Sequence, residues 1–217
     1  ALTDLEGRGL TYRCWCSRRE IREAAAAPHE HLPEGAYPGT CRDLASAEVR
    51  KRESTGRPPA LRLRTDAPPV TFVDRVAGPF SGVVDDAVLR RGDGTPSYNL
   101  AVVIDDDAQG VTEVVRGDDL LASTPRQIHI AHLLGVEPPS YAHVALVTNA
   151  GRRRLAKRDG AITLADRIGA GETAIDCLNL LLESLRLPRV ARTSELEAIH
   201  QDFEPQLLPR EPWIFEG

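Results

Sequence analysis

Three cysteines crowded near the start constrain this chain most: Cys14-x-Cys16, then Cys41 after a proline-rich stretch, with Cys177 far away. No apolar run approaches the roughly 18 residues that a membrane-spanning helix needs. The opening ALTDLEGRGL also lacks the basic start and apolar run of a signal peptide. The chain therefore reads as cytoplasmic, where a tight cysteine cluster more often binds metal than forms disulfides. Two thiolates one residue apart can share a tetrahedral Zn²⁺, and Cys41 brings a third when the loop folds back. The fourth position is open between an imidazole, His29 or His31, and the phenol of Tyr37. Such a site is structural: it staples a segment that has little core of its own.

The 217 residues suffice for one to two domains, and 41% apolar with 27% charged residues is an ordinary globular balance. A net charge of −5 argues against a protein coated with cations for DNA, yet leaves room for a local basic patch. Arg152, Arg153, Arg154, Lys157 and Arg158 form one; from charge alone it is a solvated loop.

Three regions emerge. In residues 1–56, Ser17 and Glu20 form a capping box that opens a helix reaching about residue 27. A proline- and glycine-rich loop covers 28–40, and a second helix covers 42–52. In residues 57–168, strands separated by capped helices point to an α/β fold. Residues 60–63 read as a strand with one wet face carrying Arg62 and Arg64, with further strands at 70–73, 88–90 and 141–147. The continuously apolar run 100–104 reads as a buried central strand, with Asp105, Asp106 and Asp107 at its polar end. Thr124, Pro125 and Gln127 predict another capping box, for a helix that Gly135 stops. In residues 169–217, Ala174, Ile175, Leu178, Leu181, Leu182 and Leu185 fall at helical spacing, with Cys177 a small buried hydrophobe among them. Ser194 with Glu197 caps a shorter helix ahead of a proline-rich tail.

Y-R-C-W-C-S-R-R-E at 12–20 resembles the zinc-bearing segment of bacterial glutamyl-tRNA synthetases and of their short glutamyl-queuosine tRNA(Asp) paralogue. G-T-P-S-Y-N-L-A-V-V-I-D-D at 94–106 looks like the family's strand with a glutamate-contacting tyrosine. G-V-T-E-V-V-R-G-D-D-L at 110–120 is similar to the segment with its glutamate-binding arginine. R-L-A-K-R at 154–158 stands in the place of the KMSKS loop. The resemblance covers about residues 10–165 in the family's order.

This resemblance implies the second half of a Rossmann-like class I synthetase catalytic domain, with a zinc-binding segment and a helical C-terminal region. It implies Zn²⁺ on Cys14, Cys16, Tyr37 and Cys41, and glutamate on Tyr98 and Arg116. A planar guanidinium suits a carboxylate; read from its neighbours alone, Arg116 pairs instead with Asp118 or Asp119. Lys157 takes the place of the catalytic, ATP-binding lysine that stabilises the leaving pyrophosphate of Mg-ATP. The loop departs from the family in Arg154, Leu155 and Ala156, which replace Lys, Met and Ser; the lost Ser hydroxyl removes one hydrogen bond. The family's HIGH-type motif does not occur in this sequence, and His129 and His132 are not a displaced copy, so the chain as written is expected to be inactive alone. The 59 residues after Arg158 are short for an anticodon domain. The expectation is a monomeric ligase that activates glutamate without tRNA and transfers it to queuosine in tRNA(Asp). The alternatives are a truncated synthetase that charges tRNA(Glu), or a non-catalytic, zinc-stapled RNA-binding module.

Overall fold

The computed structural model describes residues 1–25, 37–155 and 163–215. The chain forms two compact units. The first comprises Ala1–Phe72, Pro79–Glu113 and Ala122–Ser140; the second comprises Val73–Gly78, Val114–Leu121 and Tyr141–Gly217.

In the first unit a short helix, α1 (Leu2–Gly7), leads into β1 (Thr11–Cys14). Strand β1 pairs antiparallel with β2 (Ala60–Leu63), which sets Cys14 opposite Ala60 and Tyr12 opposite Arg62. Strand β5 (Val88–Arg90) pairs antiparallel with β2, with a register irregularity between Leu61 and Arg62. Helix α2 (Arg18–Ala25) opens on the expected reciprocal cap: Ser17 Oγ accepts the Glu20 N–H at 3.2 Å, and the Ser17 N–H donates to the Glu20 carboxylate at 2.6 Å. Helix α3 (Ser46–Glu53) begins four residues later than expected, after a turn at 40–43.

The run 100–104 is helical, not a strand. It lies in α4 (Tyr98–Gln109), with Ser97 Oγ accepting the Leu100 N–H and Gly110 closing the end at φ 68°. A continuous apolar run has no period to separate strand from helix, so the caps decide. Asp105, Asp106 and Asp107 therefore sit on the last turns of α4. Helix α4 lays Leu100 and Val103 into a core with Leu5, Leu63, Leu89 and Ile130, the last supplied by α5 (Thr124–Leu134). Helix α5 stops at Gly135, φ 72°, as expected, but its N-cap is Ser123. Gln127 is buried and donates its amide to Asn99 Oδ1 at 3.0 Å. The wet face expected for β2 also fails, because Arg62 is buried.

The other expected strands occur as β3 (Val70–Asp74), paired with β4 (Gly78–Gly82), and β7 (Ser140–Val144), paired with β6 (Glu113–Gly117). In the second unit β8 (Val147–Thr148) pairs parallel with β9 (Trp213–Ile214). Among the described residues the strands thus lie in four small sheets. Val76, Ala142 and Leu208 form a small buried cluster there, with Val144 and Leu185 against it. Two capping boxes the sequence reading overlooked, Thr163–Asp166 and Thr173–Asp176, start α6 (Leu164–Gly169) and α7 (Ala174–Ser184). Cys177 is buried on α7 as expected, while Asn179 beside it exchanges two hydrogen bonds with the backbone of Val190, at 2.9 and 2.7 Å. Helix α8 (Leu196–Gln201) has Glu195 at its N-cap in place of the expected Ser194 pair, and that carboxylate accepts the Ala191 N–H. No helix among the described residues is long and apolar enough to cross a membrane.

Leu63 is fully buried at the centre of the first unit's core. Truncation to Ala removes packed methyl groups and leaves a cavity, so Leu63→Ala should lower the unfolding free energy by about 2–5 kcal/mol in urea titrations.

Candidate functional site

The turn after β1 and the segment returning through residue 41 bring the cysteines together. The sulfurs of Cys14, Cys16 and Cys41 all lie within 4.8 Å of one another. Cys16 Sγ is 3.5 Å from Cys41 Sγ, and Tyr37 Oη stands 3.3 Å from Cys14 Sγ and 3.7 Å from Cys16 Sγ. A tetrahedral zinc with Zn–S bonds of 2.3 Å requires sulfur–sulfur edges of about 3.8 Å. The four atoms are therefore spaced like the corners of one coordination shell. The Cys41 N–H donates to Tyr37 Oη at 2.9 Å, which pins the phenol oxygen toward the thiols. His29 and His31 lie outside the described residues.

The electrostatics fit a dication. The Cys14 thiol is pushed down to about 4, first by its hydrogen bond with Cys41 and then, against the cost of burial, by Tyr37 and the Arg62 cation. Cys41 is pushed up, first by that same Cys14 partner and then by burial; Tyr37 is pushed up first by burial and then by Cys14. Of Cys14, Cys41 and Tyr37, only the Cys14 thiol is pushed toward its anion. A divalent cation at the centre of the cluster would invert this balance and let the remaining groups ionise.

Two arginines already face the cluster. Arg52 Nη1 approaches Cys41 Sγ at 3.8 Å. Arg62 stacks its guanidinium 3.6 Å from the Tyr37 ring centroid and donates from Nη1 to the Asp86 carbonyl at 2.7 Å, while its buried Nε has no hydrogen-bond partner among the described residues. A buried orphan donor is costly, and a charged thiolate cluster beside it is the natural acceptor. Nothing in the pattern Leu61-Arg62-Leu63 signals this role, because alternation with leucines reads as an outward face.

Cys14, Cys16 and Arg62 also line a cavity of about 720 Å³ in the first unit, and Tyr98 stands on its wall. Tyr98 is the first residue of α4 and is largely exposed. Arg18, Arg57 and Arg91 contribute to the same lining, so the cavity is rich in cations.

Arg116 lies on β6 in the second unit. Its Nε–H donates to His143 Nε2 at 3.0 Å, and its guanidinium lies 5.3 Å from the Tyr141 ring centroid. His143 in turn reaches Asp74 with Nδ1 at 2.6 Å, both side chains being fully buried. Burial pushes the Asp74 carboxyl up, but hydrogen bonds from the Ala77 N–H, the His143 ring and the N–H groups of His143 and Val76 outweigh it and hold it below the usual range. Asp74 and His143 were missed in the sequence. An aspartate shortly before Gly78 is a turn signal, but a lone histidine between Ala142 and Val144 carries none.

In the KMSKS-like stretch, Thr148 and Arg154 bridge across a turn with Arg152 at φ 56°, and Arg154 pairs with Asp119. Leu155 donates its N–H to the Val147 carbonyl. Ala156, Lys157 and Arg158 lie outside the described residues. His129 and His132 sit on α5, and His129 Nε2 meets Thr65 Oγ1 at 3.0 Å.

A profile of the class I tRNA synthetases (E and Q), catalytic domain, matches residues 2–192. The chain belongs to this family. Within it, the chain is 59% identical over 215 residues to the glutamyl-Q tRNA(Asp) synthetase of Nocardia farcinica, covering 99% of this chain and 67% of the relative. The enzyme of that name from Symbiobacterium thermophilum is 43% identical, covering 98% of this chain and 67% of the relative. The chain groups with these glutamyl-Q tRNA(Asp) synthetases, ligases of the class I family. A crystal structure of a glutamate-tRNA synthetase from Elizabethkingia anophelis superposes with a TM-score of 0.73 at 20% identity, over all of this chain and 50% of that one. The fold is accordingly the α/β fold of a class I synthetase catalytic domain. The chain spans between half and about two thirds of the lengths of these relatives.

Purified protein should carry about one zinc per chain, and Cys16→Ser should lose it. Arg62→Met keeps the buried stem but removes the cation. In chelator competition it should weaken zinc retention about 10–100-fold; unchanged retention would show that Arg62 serves packing alone.

Proposed function

We propose that this protein uses ATP to activate glutamate, without requiring tRNA for that step, and transfers the glutamyl group to queuosine in tRNA(Asp). The observation that carries this reading is the 59% identity, across almost the whole chain, to a relative named glutamyl-Q tRNA(Asp) synthetase. In this reading residues 1–56 are the zinc-binding segment. Residues 57–168 are the second half of the Rossmann-like catalytic domain, and 169–217 a helical region.

Cys14, Cys16, Tyr37 and Cys41 would hold one structural Zn²⁺, which would brace the segment around residue 41. Arg116 offers a bidentate partner to a carboxylate of glutamate, and Tyr98 supplies a wall and a hydroxyl. A glutamate carboxylate oxygen forms a bond to the α-phosphorus of Mg-ATP as pyrophosphate leaves, and Lys157 stabilises the charge growing on that leaving group. A hydroxyl of the queuosine diol then attacks the activated carbonyl and AMP departs. The cation-rich cavity beside Tyr98 favours a polyanionic acceptor such as RNA.

The enzyme as encoded in its genome should be incubated with labelled glutamate, ATP and tRNA from cells with and without queuosine. Label should enter only the queuosine-containing pool, and prior periodate cleavage of the diol should abolish it. Label at the 3′ end of queuosine-free tRNA would instead assign the chain to the synthetases that charge tRNA(Glu). Arg116→Ala should raise the KM for glutamate roughly 10–100-fold in pyrophosphate exchange and leave the KM for ATP nearly unchanged.

A further inference from the structure

The second unit contains a fully buried acid–imidazole pair that the expected chemistry does not use. Asp74 ends β3, and its carboxylate is saturated with donors. Oδ1 accepts the N–H groups of Val76 at 2.9 Å, Ala77 at 2.8 Å and His143 at 3.1 Å, and Oδ2 meets His143 Nδ1 at 2.6 Å. An ionised carboxylate only accepts, so the proton between the two side chains belongs to His143 Nδ1. In the neutral ring Nε2 then carries a lone pair, and it is this atom that accepts the Arg116 Nε–H at 3.0 Å. The opposite tautomer, or an imidazolium, would set N–H against N–H.

Stacking completes the arrangement. The Tyr141 and His143 rings lie 6.0 Å apart with only 19° between their planes, and the Arg116 guanidinium stands 5.3 Å from the Tyr141 centroid. The contact to His143 takes one of the five N–H donors of Arg116 and fixes the plane in which the others project. The backbone of β7, which carries both Tyr141 and His143, is tied to the same acid through the His143 N–H.

We propose that Asp74 and His143 are positioning residues that fix the orientation of the Arg116 guanidinium and thereby set the enzyme's affinity for an amino acid with a carboxylate side chain. This rests on the reading of Arg116 as a carboxylate partner of glutamate. Neither residue touches substrate. The carboxylate chooses the tautomer, the tautomer presents the acceptor, and the acceptor holds the arginine in the pose that a bidentate contact requires.

Two measurements test this. In the folded wild-type enzyme, long-range ¹H–¹⁵N spectra of labelled histidine should show His143 as the neutral Nδ1–H tautomer; an Nε2–H tautomer or an imidazolium at neutral pH overturns the proposal, whatever the variants do. His143→Phe keeps a ring beside Tyr141 but removes the acceptor. It should raise the KM for glutamate roughly tenfold to hundredfold and leave the KM for ATP within about twofold. His143→Gln, whose amide can both donate to Asp74 and accept from Arg116, should recover part of the loss. If Arg116→Gln raises the glutamate KM alone while His143→Phe leaves it unchanged, or raises both KM values alike, positioning by His143 is wrong and the reading of Arg116 survives. If Arg116→Gln leaves the glutamate KM unchanged, that reading fails and takes this inference with it.

Discussion

The pairing of β1 with β2 is the constraint on which the first unit depends. Its register sets Cys14 opposite Ala60 and Tyr12 opposite Arg62, which brings the buried arginine to the thiol cluster. A buried cation is tolerable only when its surroundings answer it, and here they do. The Asp86 carbonyl accepts from Arg62, the Asp86 carboxylate accepts the Tyr12 hydroxyl at 2.7 Å and the Thr65 N–H at 3.1 Å, and the Tyr37 ring covers the guanidinium. A slip by one residue would turn Arg62 to the opposite face and leave Asp86, Tyr12 and the cluster without their common partner. The cysteine clip and the sheet are therefore one structure: the strands fix where the thiols meet, and a metal held there would fix the segment that the strands do not reach.

The second unit uses the same principle for a different purpose. Asp74 is almost completely buried, and three backbone N–H groups keep it ionised there. Hydrogen bonds link it through His143 to Arg116, the arginine proposed to read another acid. In both units a buried ion is answered by a small number of aimed donors, so that the side chains nearest a ligand lose little freedom when it binds.

The motifs whose meaning is local were legible in the sequence. Ser17 with Glu20 marks a helix start because the cap is made within four residues, and Gly135 marks an end because only a left-handed conformation closes α5 there. The spacing of Cys14, Cys16 and Cys41 foretold that these thiols converge, while the choice of Tyr37 over His29 or His31 came only from the family resemblance. Features that depend on tertiary placement were not legible. The run 100–104 is a separate case: it carries no period, and the caps that mark its helix, Ser97 and Gly110, are local signals that the apolar run outweighed. Arg62 alternates with leucines like any surface residue, yet its neighbours across the sheet make the site polar enough to bury it. His143 meets an acid 69 residues away, a partnership that no short window contains.

The proposed function is that of a ligase that reads an acidic amino acid by itself, before any RNA arrives. The most direct test is ATP–pyrophosphate exchange by the genome-encoded enzyme with each of the twenty amino acids, in the complete absence of RNA. The account predicts exchange with glutamate alone. Exchange that appears only when tRNA is added, or that another amino acid supports equally well, would contradict it.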